Sequence, residues 1–138
     1  MRKILFLFVL SAVLSCKQKI TNADISNLNG YWEIEKVELP DGDKKEYKVN
    51  ETIDFFKIEQ NRGFRKKVMP QLDGTYLTND ILEDVVVVIK DGDASLQYKT
   101  AYASWNEEII ELTKDKLVVK NQQDLEYHYK RPVKFSVK

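Results

Sequence analysis

The chain has 138 residues, with 22 Lys+Arg against 22 Asp+Glu, one Cys and one His. That length holds one domain. A chain with no basic excess is not built to coat nucleic acid, one Cys makes no intrachain disulfide, and one Cys with one His is too few for a structural zinc site of those two residue types. No nucleic-acid partner, no metal and no cofactor is therefore expected.

The N-terminus divides into zones. Met1-Arg2-Lys3 is a short positive segment, and Ile4 to Leu14 is apolar apart from Ser11. The run is too short for a membrane span of about 20 residues but suits the apolar region of a signal peptide. It ends at Ser15-Cys16, after which Lys17-Gln18-Lys19 turns abruptly polar. Val13-Leu14-Ser15-Cys16 resembles the lipobox of bacterial lipoproteins, in which cleavage leaves an acylated Cys at the new N-terminus. The resemblance implies a signal peptide over residues 1–15, lipidation at Cys16, and a chain held at the bacterial envelope by its acyl groups. Several acyl chains hold far better than one, at roughly 0.8 kcal/mol per buried CH₂. By resemblance to the sorting rules of some Gram-negative bacteria, Lys17 after the Cys implies the outer membrane. Cleavage removes two bases and no acid, so acids then exceed bases by two. The only thiol is consumed by lipid.

Residues 17–27 are mostly polar and read as a tether together with the lipidated Cys16. Residues 28–138 read as one β domain. Turn signals punctuate it at strand-like spacing: Pro40-Asp41-Gly42-Asp43, Asn61-Arg62-Gly63, Asp73-Gly74, Asp91-Gly92-Asp93 and Asn121 to Asp124. Asp-Gly supplies the positive φ that tight hairpins need. Both D-G-D stretches are hairpin turns rather than Ca²⁺ loops, because neither continues into the longer acidic pattern such a loop requires.

β-branched and aromatic runs lie between the turns: Tyr31–Leu39, Thr52–Glu59, Gly63–Val68, Thr75–Thr78, Val85–Ile89, Leu96–Tyr102, Leu117–Lys120 and Leu125–Lys130. Several alternate, with Trp32/Ile34, Phe64/Val68 and Tyr127/Tyr129 on the apolar face and Glu33/Glu35 and Arg65/Lys67 on the other. Val85–Ile89 does not alternate, so it is buried on both faces or carries an apolar outer side. Tyr98–Leu112 is the best helical candidate, but two strands split near Asn106 suit its composition better, with one short helix as an option. The fold class is all-β: about eight to ten antiparallel strands in a meander that closes into a barrel, because closure removes exposed edges. A sandwich is the alternative.

Leu28-Asn29-Gly30-Tyr31-Trp32 opens the first strand, and Tyr127-His128-Tyr129-Lys130-Arg131 ends the last. Gly30-x-Trp32 resembles the G-x-W signature of lipocalins. The order of signal, lipobox, spacer, L-x-G-x-W, meander and closing strand resembles the small lipocalin-like lipoproteins of bacterial envelopes. The resemblance implies that Trp32 closes the barrel base and packs against Arg131, with Lys130 second choice. The T-D-x-x-Y motif of typical lipocalins is absent.

Tyr98, Tyr102 and Trp105 are candidates to line a ligand cavity. Arg62, Arg65 and Lys67 belong to the one basic run and are candidates for an anionic surface such as lipid headgroups. If Tyr127 and Tyr129 face inward, His128 is exposed on the outside. No catalytic residue is assigned, since no nucleophile elbow or triad pattern accompanies the single His. The expected function is a lipid-anchored module that binds a small apolar ligand without catalysis. The alternative is an interaction or inhibitor module with a packed barrel, whose protein partner the sequence does not name.

Overall fold

The protein is described from a computed structural model, which covers residues 17–48, 50–79 and 81–133. The signal segment and Cys16 lie outside these residues. Short strands joined by tight turns leave the chain only local antiparallel partners, and the observed order follows. A 3₁₀ helix, η1 (Asp24–Leu28), is followed by β1 (Gly30–Glu38), β2 (Lys44–Glu46), β3 (Ile53–Glu59), β4 (Arg62–Pro70) and β5 (Tyr76–Thr78). Then come β6 (Glu83–Lys90), β7 (Asp93–Lys99), β8 (Ser104–Leu112), β9 (Lys116–Lys120) and β10 (Glu126–Lys130). The turns use positive φ at Gln60-Asn61 between β3 and β4 and at Asp91-Gly92 between β6 and β7, the backbone shape that matches hairpin twist.

The strands form one antiparallel sheet in the order β10-β9-β8-β7-β6-β4-β3-β1, and β10 pairs back onto β1. Eight strands therefore close a barrel. β2 and β5 are extra, pairing with the outer halves of β1 and β4. The all-β expectation holds, and closure decides for the barrel over the sandwich. Among the described residues no helix is long and apolar enough to cross a membrane.

Two bulges adjust the alternation. The register of β1 shifts between Ile34 and Lys36, and that of β8 between Ile109 and Glu111. An extra residue changes which parity faces the core. Trp32 and Val37 are thereby both buried on β1, and Ile109 and Leu112 on β8.

Three sequence expectations need correction, and one alternative left open is decided. On β4 the faces are reversed: Arg65 lies opposite the buried Phe56 and is itself buried, while Phe64 and Lys66 take the other side. Tyr98–Leu112 is two strands as expected, but the break lies over residues 100–103 rather than near Asn106; β7 ends at Lys99 and β8 begins at Ser104. Val88 on β6 is exposed while Val85 and Val87 are buried, so that run has one core face and an apolar outer side. Residues 17–27 are not a free tether among the described residues. The Ile20 amide donates to the Gly92 carbonyl at 2.9 Å, Gln18 bonds the backbone of Ile110 and Leu112, and η1 lies in this segment. Ile20, Ile25 and Leu28 are buried with the barrel core.

Candidate functional site

The closed end explains how the open end is held. Trp32 is 0% exposed, and its indole N–H donates to the Leu28 carbonyl at 2.8 Å. The Arg131 guanidinium lies 3.6 Å from the Trp32 ring centroid. Its three nitrogens donate to the carbonyls of Lys114, Tyr31 and Asn27 at 2.8, 3.0 and 2.7 Å. A flat cation can satisfy three carbonyls while stacking on an indole, which a lysine ammonium cannot. Gly30, at φ +107°, makes room: a Cβ there would sit 3.2 Å from Arg131 Nη1. Phe56, Ile58, Val87, Ala94, Leu96, Ile109 and Leu117 belong to the same buried apolar cluster as Trp32, which also lines the larger of the cavities at the open end.

The open end is lined differently. Arg65 reaches inward over the Tyr98 ring at 4.2 Å. It donates twice to Glu83, at 3.1 and 2.8 Å, and approaches Glu107 Oε1 at 3.7 Å. Lys67 donates to the buried Asp54 at 2.7 Å. Above this charged layer lie two adjoining cavities of about 330 and 420 Å³ that share Asp54, Lys67, Tyr127 and Tyr129. The smaller adds Arg65, Trp105, Glu107 and Asn121 to Gln123; the larger adds Ile34, Val37, Tyr47 and the 50–53 loop. Each falls within the size of small-ligand sites.

The electrostatics are unbalanced in one place. Burial works against the charged form of Arg65, but Tyr98, Glu83 and Asp54 outweigh it and raise its pKa above the ordinary range. Burial raises the Glu107 carboxyl above its usual range, against the pull of Arg65. It also pushes the phenols of Tyr98 and Tyr129 well up, so both are neutral donors. The Tyr98 hydroxyl and Glu107 Oε1 are buried and make no hydrogen bond of good geometry, although the two side chains interact with each other and Oε1 faces Arg65 at 3.7 Å. Buried polar atoms are nearly always satisfied, so Glu107, which lines the smaller cavity, marks where a further donor would gain most.

A sequence profile described as a lipocalin-like domain matches residues 28–119, most of the chain. The chain belongs to the lipocalin-like domain family. Among solved structures, a lipocalin-like protein from Bacteroides uniformis is similar at 12% identity and a TM-score of 0.51. The match covers 77% of this chain and 99% of that one. A protein from Bacteroides eggerthii matches at 15% identity and a TM-score of 0.49, over 76% and 99% of the two chains. No curated protein matches. At 12% identity the likeness to the Bacteroides uniformis protein concerns the fold.

Within this lipocalin-like barrel, Gly30, Trp32 and Arg131 lie against one another. Of the aromatic candidates, Trp105 lines the mouth cavity and stacks on Tyr98 at 5.3 Å between centroids. Tyr98 is deeper than a mouth residue, at 1% exposure. Tyr102 does not join them; it is 99% exposed on the β7–β8 turn. The basic run does not form a surface either. Arg62 and Lys67 are exposed, Lys67 at the mouth with the buried Asp54 as partner, while Arg65 is buried with Glu83 as partner. His128 faces outward as expected, opposite Lys36, yet it is buried rather than exposed. Sequence reasoning missed Asp54, Glu83 and Glu107. Their signal was present: each sits at an inward parity of its strand, where a carboxylate demands an interior cation.

Proposed function

We propose that this lipocalin-like protein takes a small amphipathic molecule into the mouth of its barrel and holds it without catalysis. The carrying observation is the buried Glu107 carboxyl, whose Oε1 makes no hydrogen bond, in a cavity walled by Trp105, Tyr127 and Tyr129. Stacking surfaces favour a planar or apolar body. The carboxyl oxygen favours a hydrogen-bond donor on its inner end, an amine or a hydroxyl. A wholly apolar molecule would leave Glu107 Oε1 without a hydrogen bond, so the charged layer narrows the expected ligand from apolar to amphipathic.

The lipobox supports acylation at Cys16 and residence at the envelope, with the outer membrane favoured by the following Lys17. Lys17 is itself fixed to the barrel wall, ion-paired with Asp93 at 2.8 Å and with Glu108. An anchor at the preceding residue would have little slack and would hold the barrel wall close to the membrane. Mass spectrometry of the processed N-terminus tests this; an unmodified Cys16 or a retained Met1 overturns it.

Fluorescence tests the ligand. Trp32 and Trp105 are the two tryptophans, so Trp32→Phe leaves Trp105 as a reporter at the mouth. Titration with a long-chain amine, a long-chain alcohol and a long-chain fatty acid is expected to quench or shift Trp105 emission, most with the amine or alcohol. Glu107→Ala is expected to erase that preference. No response to any of the three would defeat the proposal.

One observation favours a second reading. Met69, Leu72, Leu77, Ile81 and Leu82 are exposed, all between the end of β4 and the start of β6. Clustered exposed apolar side chains mark interaction surfaces more often than isolated ones do. A protein partner would be captured by the wild-type chain and lost with Leu72→Glu and Leu77→Glu, with Trp105 emission unchanged.

A further inference from the structure

The seam that closes the barrel carries a cluster on its outer wall that the mouth does not use. β1 and β10 run side by side, with Lys36 opposite His128 and Glu38 opposite Glu126. His128, Glu38 and Glu126 each offer one ligand atom, and the three atoms lie within 4.8 Å of one another. His128 Nε2 is 3.0 Å from Glu126 Oε1 and 3.7 Å from Glu38 Oε2. The His128 side chain is only 10% exposed, and its Nε2 has no hydrogen-bond partner. The approach to Glu126 therefore has the length of a hydrogen bond without its direction.

A buried imidazole nitrogen facing two carboxylate oxygens, with no hydrogen bond between them, is an arrangement of electron-pair donors around a shared point. Direct contact of such atoms is unfavourable unless a proton on Nε2 or a metal cation lies among them, and the misdirected approach to Glu126 means that a proton there is poorly used. Lys36 does not fill that role. Its ammonium pairs with Glu38 Oε1 at 3.1 Å and leaves Oε2 turned to His128. Ligand atoms about 3–4 Å apart suit an ion with bonds of about 2.0–2.2 Å. One imidazole with two carboxylates suits a borderline divalent cation better than the all-oxygen shell preferred by Ca²⁺ or Mg²⁺.

We propose that Glu38, Glu126 and His128 bind a divalent transition-metal ion, with Zn²⁺ the best fit. Three protein ligands leave a fourth position for water. Because the ligands come from both strands of the seam, the ion would clamp β1 to β10. The scarcity of Cys and His excludes a site made of those residues alone, but not one completed by carboxylates.

The test uses the full chain with Cys16→Ser, which removes the only thiol as a competing ligand. Co²⁺ is added and followed by visible absorption, and Zn²⁺ is then used to displace it. His128 is the sole histidine, so the imidazole nitrogen resonances in a ¹⁵N-labelled sample report on one residue. The expected result is saturation at one ion per chain with a shift at Nε2. Affinity should fall at least tenfold in Glu126→Gln and in Glu38→Gln, and binding should be lost in His128→Ala. Lys36→Met should bind no more weakly than the parent. Absence of saturable binding, an unshifted Nε2, or equal affinity in Glu126→Gln would overturn the proposal. Should His128→Ala fail to fold, the nitrogen shift and the two glutamine variants still decide.

Discussion

The floor and the mouth of this barrel are lined by the same strands, often by residues two positions apart, and they are built on opposite principles. β3 sends Phe56 and Ile58 to the floor and Asp54 to the mouth. β4 places Gly63 below Arg65 and Lys67, and β8 places Ile109 below Glu107 and Trp105. Below, every side chain is apolar except Arg131, which approaches from outside with three backbone partners. Above, charges cross the interior in pairs and two buried polar atoms make no hydrogen bond of good geometry. The contrast teaches that closing a barrel and offering it to a ligand are separable tasks. Apolar packing at one end supplies stability, so the other end can hold polar groups whose satisfaction depends on something else.

The sharpest way to break that contrast is to remove the floor. Trp32→Ala deletes the largest fully buried side chain and uncovers the stacked Arg131. A loss of about 3–5 kcal/mol is expected in urea unfolding, as for large-to-small changes in other cores. A loss under about 1 kcal/mol would mean that the barrel's stability does not reside there.

The second largest effect should come from the charged layer. Arg65→Met leaves Glu83 and Glu107 without their cation in the interior. Breaking such a pair costs about 3 kcal/mol. Arg62→Met, on the exposed position three residues earlier, should change stability by about 0.5 kcal/mol or less. Equal effects would return the basic run to the surface where sequence reading put it. Gly30→Ala should cost about 1–3 kcal/mol, from positive φ and from the crowding of Arg131. Measured alongside Gly74→Ala, whose φ is also positive but whose Cβ would meet nothing within 4 Å, it separates backbone strain from the contact.

How much of this was readable follows from what each end requires. The floor announces itself, because a Trp two residues after a Gly at the head of the first strand and an Arg after the last strand are local patterns. The all-β class and its tight turns are equally local. The mouth is not. Arg65 and Lys67 look like a solvated face because Phe64 and Val68 flank them. Their partners Asp54, Glu83 and Glu107 lie far enough along the chain that only strand register brings them together. Apolar residues on the outward face of β4 find cover elsewhere: Phe55 lies 6.2 Å from Phe64 and 4.8 Å from Tyr31, which stacks on Tyr76 at 4.1 Å. That outer aromatic cluster inverts the usual inference from alternation. The bulges in β1 and β8 shift parity mid-strand, which no period-two count anticipates. His128 misled for a related reason: outward parity says which face a residue takes, not whether long neighbours cover it.

The smallest expected effect bears most directly on the mouth. Burial raises the Glu107 carboxyl above its ordinary value, so the folded chain binds a proton there that the unfolded chain releases more readily. Stability from this group is therefore fully present below the ordinary glutamate range and declines as pH rises through the raised folded value. Glu107→Gln keeps the shape and the acceptor oxygen but removes the charge. Its melting temperature should exceed that of the parent at pH 8, and the gap should close as pH falls towards the ordinary glutamate value of 4.5. Arg65 retains its two bonds to Glu83 in the variant, so the cation is not orphaned. If the parent is instead more stable than the variant at pH 8, Glu107 serves the barrel as a partner for Arg65, and the mouth has no unsatisfied acceptor to offer a ligand. If the gap appears and is abolished by a long-chain amine, the cost of burying Glu107 is offset by the ligand's donor, and floor and mouth divide stability from binding as their linings suggest.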